Sequence, residues 1–126
     1  MEASEMKTKW GALCIADHAL AVIAHMAALS VSGVAGMDDS FVRGFSSMFA
    51  GSEHTAGVRV ALSGEEVSID LYILAEYGLR IPDLALRLQE KVKTDMESMT
   101  GLMVTAVNVY VQGIVFPGDR NKDGRP

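Results

Sequence analysis

The sequence predicts an α+β fold, a two-layer sandwich in which two helices pack on one face of a three-stranded sheet, in the order helix, strand, strand, helix, strand. Three observations predict it. Apolar residues recur at period two in three short runs, Val58–Leu62, Val67–Ala75 and Thr105–Val111. They recur at helical period in Leu84, Leu88, Val92, Met96 and Met99. Between His18 and Val31 nearly every residue is Ala, Leu, Ile, Val or Met. Period two means one buried face of a strand, and period 3.6 means one buried face of a helix.

The elements follow in chain order. WGALCI, Trp10–Ile15, reads as a short strand or an ordered lead-in. Asp17 suits a helix N-cap, since its carboxylate can accept from the N–H groups of the first turn. The helix His18–Val31 is apolar on all sides, which predicts burial around most of its circumference. Gly33 fits its C-cap. Residues 37–56 change character. They are rich in Gly and Ser, and a connection this long inside a compact domain is either disordered or functional.

Val58, Val60 and Leu62 then alternate with Arg59, Ala61 and Ser63, and Ser63-Gly64-Glu65 makes a turn. Val67, Ile69, Leu71, Ile73 and Ala75 alternate with Ser68, Asp70, Tyr72, Leu74 and Glu76, completing a hairpin with one buried face. A helix Pro82–Thr100 follows, stopped by Gly101, and then a third strand. The face turned away from the helices carries Arg59, Asp70, Tyr72, Asn108 and Tyr110. One domain spans residues 10–116, with flexible tails at 1–9 and 117–126. The last ten residues, PGDRNKDGRP, offer no apolar surface to bury.

The totals exclude several classes. A length of 126 residues suits one domain with one core. With 49% hydrophobic and 21% charged residues the chain reads as globular rather than disordered. A net charge of −5 argues against nucleic-acid binding, which needs Lys and Arg to neutralise phosphates. The single cysteine, Cys14, forbids an internal disulfide and fits a cytoplasmic setting. The opening MEASEMKTKW has no signal-peptide core, and the longest apolar run is too short for a bilayer, so direct membrane insertion is not expected.

No catalytic or metal constellation emerges, and no cofactor is expected. His18 and His25 lie two turns apart, roughly 10 Å along a helix, too far to grip one ion. Cys14 reads as a buried thiol. GVAG, Gly33–Gly36, matches the GxxG of KH domains only on paper, because it runs into Asp38-Asp39 rather than a basic second helix. DRNKDG, Asp119–Gly124, copies the start of an EF-hand loop without its twelfth-position glutamate.

Two stretches suggest interaction. Phe41, Phe45 and Phe49 are spaced i, i+4, i+8 and would form an aromatic stripe on a helix, suited to a partner or to self-packing. YGLRIPD, Tyr77–Asp83, is a strand-to-helix corner. There Gly78 releases the strand, Ile81 is held extended before Pro82, Pro82 takes the first helical position, and Asp83 meets the helix dipole. Arg80 has no local role in that corner and can face an anion or a partner.

The run Val67–Phe116 resembles the alkaline shock protein family of envelope stress response proteins, found chiefly in Gram-positive bacteria. The marks are the YG-x-x-IP turn, the LQ-x-x-V helix, MTGL, and the V-N-V-x-V-x-G-hydrophobic-x-F ending. The apolar helix running into SGVAGM extends the likeness to about residues 10–116. The resemblance implies a small cytoplasmic protein without catalytic residues. The residues themselves, with no chemical site among them, point to a protein that acts by protein–protein contacts, as a homo-oligomer or with a membrane-anchored partner, and the candidate surface is Phe41, Phe45, Phe49, Tyr72, Tyr110 and Arg80. The YGLRIPD region is closest to a branch of the family linked to acetyl-CoA carboxylase. This carries the alternative expectation of a regulator of fatty-acid precursor synthesis that binds a carboxylase component.

Overall fold

The computed structural model describes residues 3–37, 53–55 and 57–116. In chain order they form β1 (Ala3–Thr8), β2 (Gly11–Ala16), α1 (Asp17–Leu29), β3 (Val34–Met37), β4 (Glu53–Thr55), β5 (Val58–Ser63), β6 (Glu66–Glu76), α2 (Ile81–Thr100) and β7 (Met103–Val115). The class is α+β as expected, but the sheet is larger than the three strands read from the sequence. Five strands form one sheet, and β1 and β2 form a separate antiparallel hairpin. The hairpin takes in residues 3–8, which the sequence alone assigns to the amino-terminal tail. Its strands pair Ala3 with Ala16 through to Thr8 with Gly11, so each supplies the other's backbone partners.

β6 organises the sheet. β7 runs parallel to it from the Glu66–Met103 pair to the Glu76–Val115 pair, along one whole edge. β5 pairs antiparallel with Glu66–Leu71 and β3 with Ile73–Ala75, so these two share the other edge end to end. β4 extends the sheet beyond β5. The added strands β3 and β4 come from VAGM and EHT, four and three residues long. They are too short to show an alternation, which is why periodicity missed them.

The core lies on one face. Val67, Ile69, Leu71, Ile73 and Ala75 of β6 pack with Val58 and Val60 of β5 and with Val104 and Val107 of β7. Above them sit Leu20, Ala21, Ala24, Ala27 and Ala28 of α1 and Leu84, Leu88, Val92 and Met96 of α2. Both helices therefore cover the same side, as the two-layer reading requires.

Local details differ from the sequence reading. Asp17 is the first residue of α1, not its cap; Ala16 holds the cap position with no side-chain hydrogen bond, and the buried Asp17 Oδ1 has no hydrogen-bond partner. α1 ends at Leu29 with Ser30 as C-cap. Gly33 lies beyond it with φ +108, and its carbonyl accepts from Glu76 N–H at 3.0 Å. α1 is also less enclosed than its composition suggests. Val22, Met26 and Leu29 are exposed, because only the sheet side and the α2 side are covered. Val22 and Met26 border a shallow, mainly apolar groove of ≈ 320 Å³ against Lys91, Asp95 and Met99 of α2. Met99, expected in the buried stripe, is 68% exposed, and Thr100 replaces it. Thr100 Oγ1 donates to Met96 O at 2.6 Å and accepts from Leu102 N–H at 3.1 Å, so the stripe continues by steps of four. Gly101, at φ +79, then ends the helix in the left-handed region.

Candidate functional site

The sheet face opposite the helices carries the side chains the alternation placed there. Arg59 and Asp70 are cross-strand partners on β5 and β6, and Asp70 and Asn108 are partners on β6 and β7. That register lets three side chains meet in a row. Arg59 Nη2 donates to Asp70 Oδ2 at 3.2 Å, and Asn108 Nδ2 donates to Asp70 Oδ1 at 2.8 Å. Both carboxylate oxygens are thus engaged. The Arg59 and Asp70 side chains are 29% and 15% exposed, so the pair is better shielded from water than an ordinary surface ion pair.

One step along the strands the next cross-strand pair is Tyr72 with Tyr110. Their rings stack with centroids 4.9 Å apart and planes 14° from parallel. Tyr72 is 4% exposed and Tyr110 43% exposed, so Tyr110 is the lid of the stack and Tyr72 its base. The Tyr72 hydroxyl titrates above the usual tyrosine range. Burial is the main cause, Arg59 opposes it, and Asp70 and Tyr110 add to it.

A further step on, Leu74 pairs with Gly113 of β7 and Gly36 of β3. A Cβ at Gly113 would stand 3.1 Å from Leu74 Cδ2, so glycine there gives the leucine room to lie on the face. The face thus runs from the ion-pair network through the tyrosine stack to an aliphatic spot. The sequence reading named the tyrosines and the polar row. It missed Leu74 and its flanking glycines, whose signal was an apolar residue on the polar side of the alternation.

The other expected site residues lie elsewhere. Arg80 is the N-cap of α2, in extended backbone, and pairs with Asp83 at 3.5 Å. Both side chains are more than 60% exposed, so this is a solvated pair at a corner and not part of the sheet face. The helix itself opens at Ile81, with Pro82 second, one residue earlier than expected. The Tyr77 and Phe116 rings meet at a tilt of 30°, with centroids 4.7 Å apart, where β6 and β7 end. Phe41, Phe45 and Phe49 lie outside the described residues. Cys14, expected to be buried, is exposed on β2. Among the described residues no group of three or more His, Cys, Asp or Glu is placed to hold a metal ion. No helix among them is long and apolar enough to cross a membrane.

The open sheet face is thus an extended polar and aromatic surface on the side of the sheet away from the helices. Comparisons with known proteins give the family. Residues 5–116 match the alkaline shock protein family, described as having a cell envelope-related function, and the chain belongs to that family. It is 35% identical over 112 residues to the uncharacterized protein YloU of Bacillus subtilis, covering 87% of this chain and 93% of that one. It is 35% identical over 109 residues to YqhY of the same organism, covering 86% and 81%. It is also 30% identical over 105 residues to a stress response regulator gls24 homolog of Streptococcus pyogenes, covering 82% of this chain and 59% of that longer protein. The family recognised from the YG-x-x-IP and MTGL marks is thereby shown. The relatives' names do not distinguish the carboxylase-linked branch.

Proposed function

We propose that this protein is a non-enzymatic interaction module of the envelope stress response type, which docks a protein partner on its open sheet face. The observation that carries the reading is the Arg59–Asp70–Asn108 row beside the Tyr72–Tyr110 stack. A stacked tyrosine pair next to a hydrogen-bonded ion pair offers the aromatic anchor and the directional polar contacts that interface centres use. The envelope-related family description and the stress-response name of the Streptococcus relative support the biological setting. The partner is a membrane-anchored protein or a further copy of the chain, and association with the membrane is indirect. The Phe41, Phe45 and Phe49 stripe is a second proposed contact, on the sequence spacing alone.

The test uses two variants on this face. Tyr110→Asp places a charge on the lid of the stack, and Ala61→Lys crowds the far end on β5. Both positions are exposed, so the fold is expected to survive, as circular dichroism will check. The readout is the membrane-bound fraction of the tagged chain after cell fractionation. Loss in both variants, with wild-type enrichment, supports the reading. Folded variants that fractionate like the wild type overturn it.

A further inference from the structure

The outer edge of β7 sets unpaired backbone groups beside a row of apolar side chains. Which groups face outward follows from one hydrogen bond and the register. Tyr72 N–H donates to Gly57 O, so the even-numbered residues of β6 turn their backbone groups away from β7 and the odd-numbered ones toward it. In a parallel pair, a residue aligned with an inward-turned residue of its neighbour points outward. Val107, Val109 and Val111 align with Ile69, Leu71 and Ile73, so their N–H and C=O groups point outward. No strand among the described residues pairs with that side. β7, MVTAVNVYVQGIV, also lacks the charges and proline that usually blunt an edge.

α2 runs back along this edge. Val104 N–H donates to Glu97 Oε2, and Gln89 Nε2 donates to Val107 O, both at 3.0 Å. The Gln89 amide thus stands where the N–H of an added strand would stand. Leu86 lies one turn before Gln89 on the same helix face. That step rises about 4.5 Å, between one and two strand residues, so Leu86 comes level with Val109. Its side chain is 59% exposed. Farther along, Ile114 of β7 is exposed, as are the Phe116 and Tyr77 rings at the strand ends. Outward backbone groups and exposed apolar side chains therefore run together along one border of the molecule.

We infer that this edge takes a short extended segment of a different protein as an added strand. The backbone dictates the occupant's conformation. An extended chain repeats N–H and C=O groups every two residues on one side, as Val107, Val109 and Val111 do, whereas a helix meets its backbone groups internally. The length follows from α2. With Val104 N–H and Val107 O already met, the open stretch suits a segment of a few residues rather than the whole length of another strand. The alternation of β7 dictates the side chains. Val107, Val109 and Val111 lie on the helix side against the core, and Asn108 and Tyr110 on the open face. Residues of an added strand keep the sides of those they pair with. The occupant therefore carries aliphatic residues opposite the valines, beside Leu86, and polar or aromatic ones opposite Asn108 and Tyr110. It has no proline where its N–H must face β7. This reaches beyond the docking of the open face, because it uses the backbone of an edge rather than the side chains of that face.

Random linear peptides displayed on phage and selected on the immobilised full chain test this. Enriched peptides are synthesised, and their affinity is read by fluorescence anisotropy. The informative variant is Val109→Pro. Its missing N–H points outward, so β6–β7 pairing is untouched while the added strand loses a donor. Leu86→Glu is the second variant. It leaves the edge backbone intact and charges an exposed position, and circular dichroism checks both folds. Expected are peptides of alternating pattern whose dissociation constant rises about tenfold or more in each variant, and which slow hydrogen exchange at the Val109 and Val111 amides. A selection that enriches nothing overturns the proposal, as do peptides that all bind Val109→Pro as tightly as the wild type. Affinity that weakens as the protein is concentrated overturns it too, because a second copy then holds the edge. These readouts need only the purified chain, so their failure leaves the membrane-fractionation test of the open face standing.

Discussion

The two faces of β6 differ in what they hold and in how it is held. Its odd-numbered residues, Val67, Ile69, Leu71, Ile73 and Ala75, are all 1% exposed or less and wholly aliphatic. Its even-numbered ones are Ser68, Asp70, Tyr72, Leu74 and Glu76. On the first face any well-fitting aliphatic side chain serves, because burial and close packing are non-directional. On the second the partners are individual: Asp70 needs Arg59 on one side and Asn108 on the other, and Tyr72 needs the ring of Tyr110. The contrast puts non-directional packing and individually matched side chains on opposite sides of one strand, so the two can be damaged separately.

The largest effect breaks the first face. Ile69→Ala deletes a fully buried side chain beneath both helices and is expected to cost about 3 kcal/mol. The urea midpoint should fall with an unchanged slope, and a loss below about 1 kcal/mol would mean that this side is loosely packed.

The next effect sits where the helical layer meets the sheet. Gly33 has φ +108, and a Cβ there would stand 2.5 Å from Leu79 Cδ1 and 3.2 Å from Leu84 Cδ1. Leu79 is partly exposed and can swing aside, whereas Leu84 is fully buried. Gly33→Ala is expected to cost about 2 kcal/mol, from backbone strain and the Leu84 contact together. Gly64→Ala is the control, at φ +64 with open space around its Cβ, and should cost about half as much. Equal losses would assign the whole effect to the backbone.

The open face should respond more weakly. Tyr110→Ala removes the exposed ring of the stack and is expected to cost about 1 kcal/mol, a third of the Ile69 effect. If it destabilised as much as Ile69→Ala, the open face would be a second core. Tyr72 gives this face a pH signature. Its proton is held more tightly in the folded state, so the unfolded chain loses it first as the pH rises. Stability therefore falls above the ordinary tyrosine range of about 10, and Tyr72→Phe should flatten that fall in melting temperature.

How far the sequence could be read follows the same division. Alternation over five or more residues located β5, β6 and β7, both faces of β6 and the row Arg59, Asp70, Asn108 before any coordinates. Helical period located α2 to within a residue. What periodicity could not supply was pairing. VAGM and EHT are strands only because β6 and β5 offer them edges, and β1 only because β2 folds back on it. Asp17 has cap chemistry but sits one position inside the helix. Met99 fitted the stripe by a step of three, yet the helix keeps steps of four to Thr100. The capping of the β7 edge by Gln89 and Glu97 of α2 was invisible too, because it depends on where the helix lies against the strand.

The smallest effect concerns the seam between α2 and that edge. Glu97 accepts from Val104 N–H at 3.0 Å and from Lys93 Nζ at 2.9 Å. The backbone bond first, and Lys93 second, hold its carboxyl below the ordinary glutamate value. A group whose folded value is depressed contributes stability above its unfolded value of about 4.3, and loses it as the pH falls through the lower folded value. Glu97→Gln keeps an acceptor for Val104 but removes the charge. Its melting temperature should lie slightly below the wild type at pH 7 and converge with it toward pH 3, most clearly at low salt. A difference that stays constant with pH would assign the seam to the shape of the side chain rather than its charge. The depressed carboxylate would then have no part in holding α2 to the strand edge.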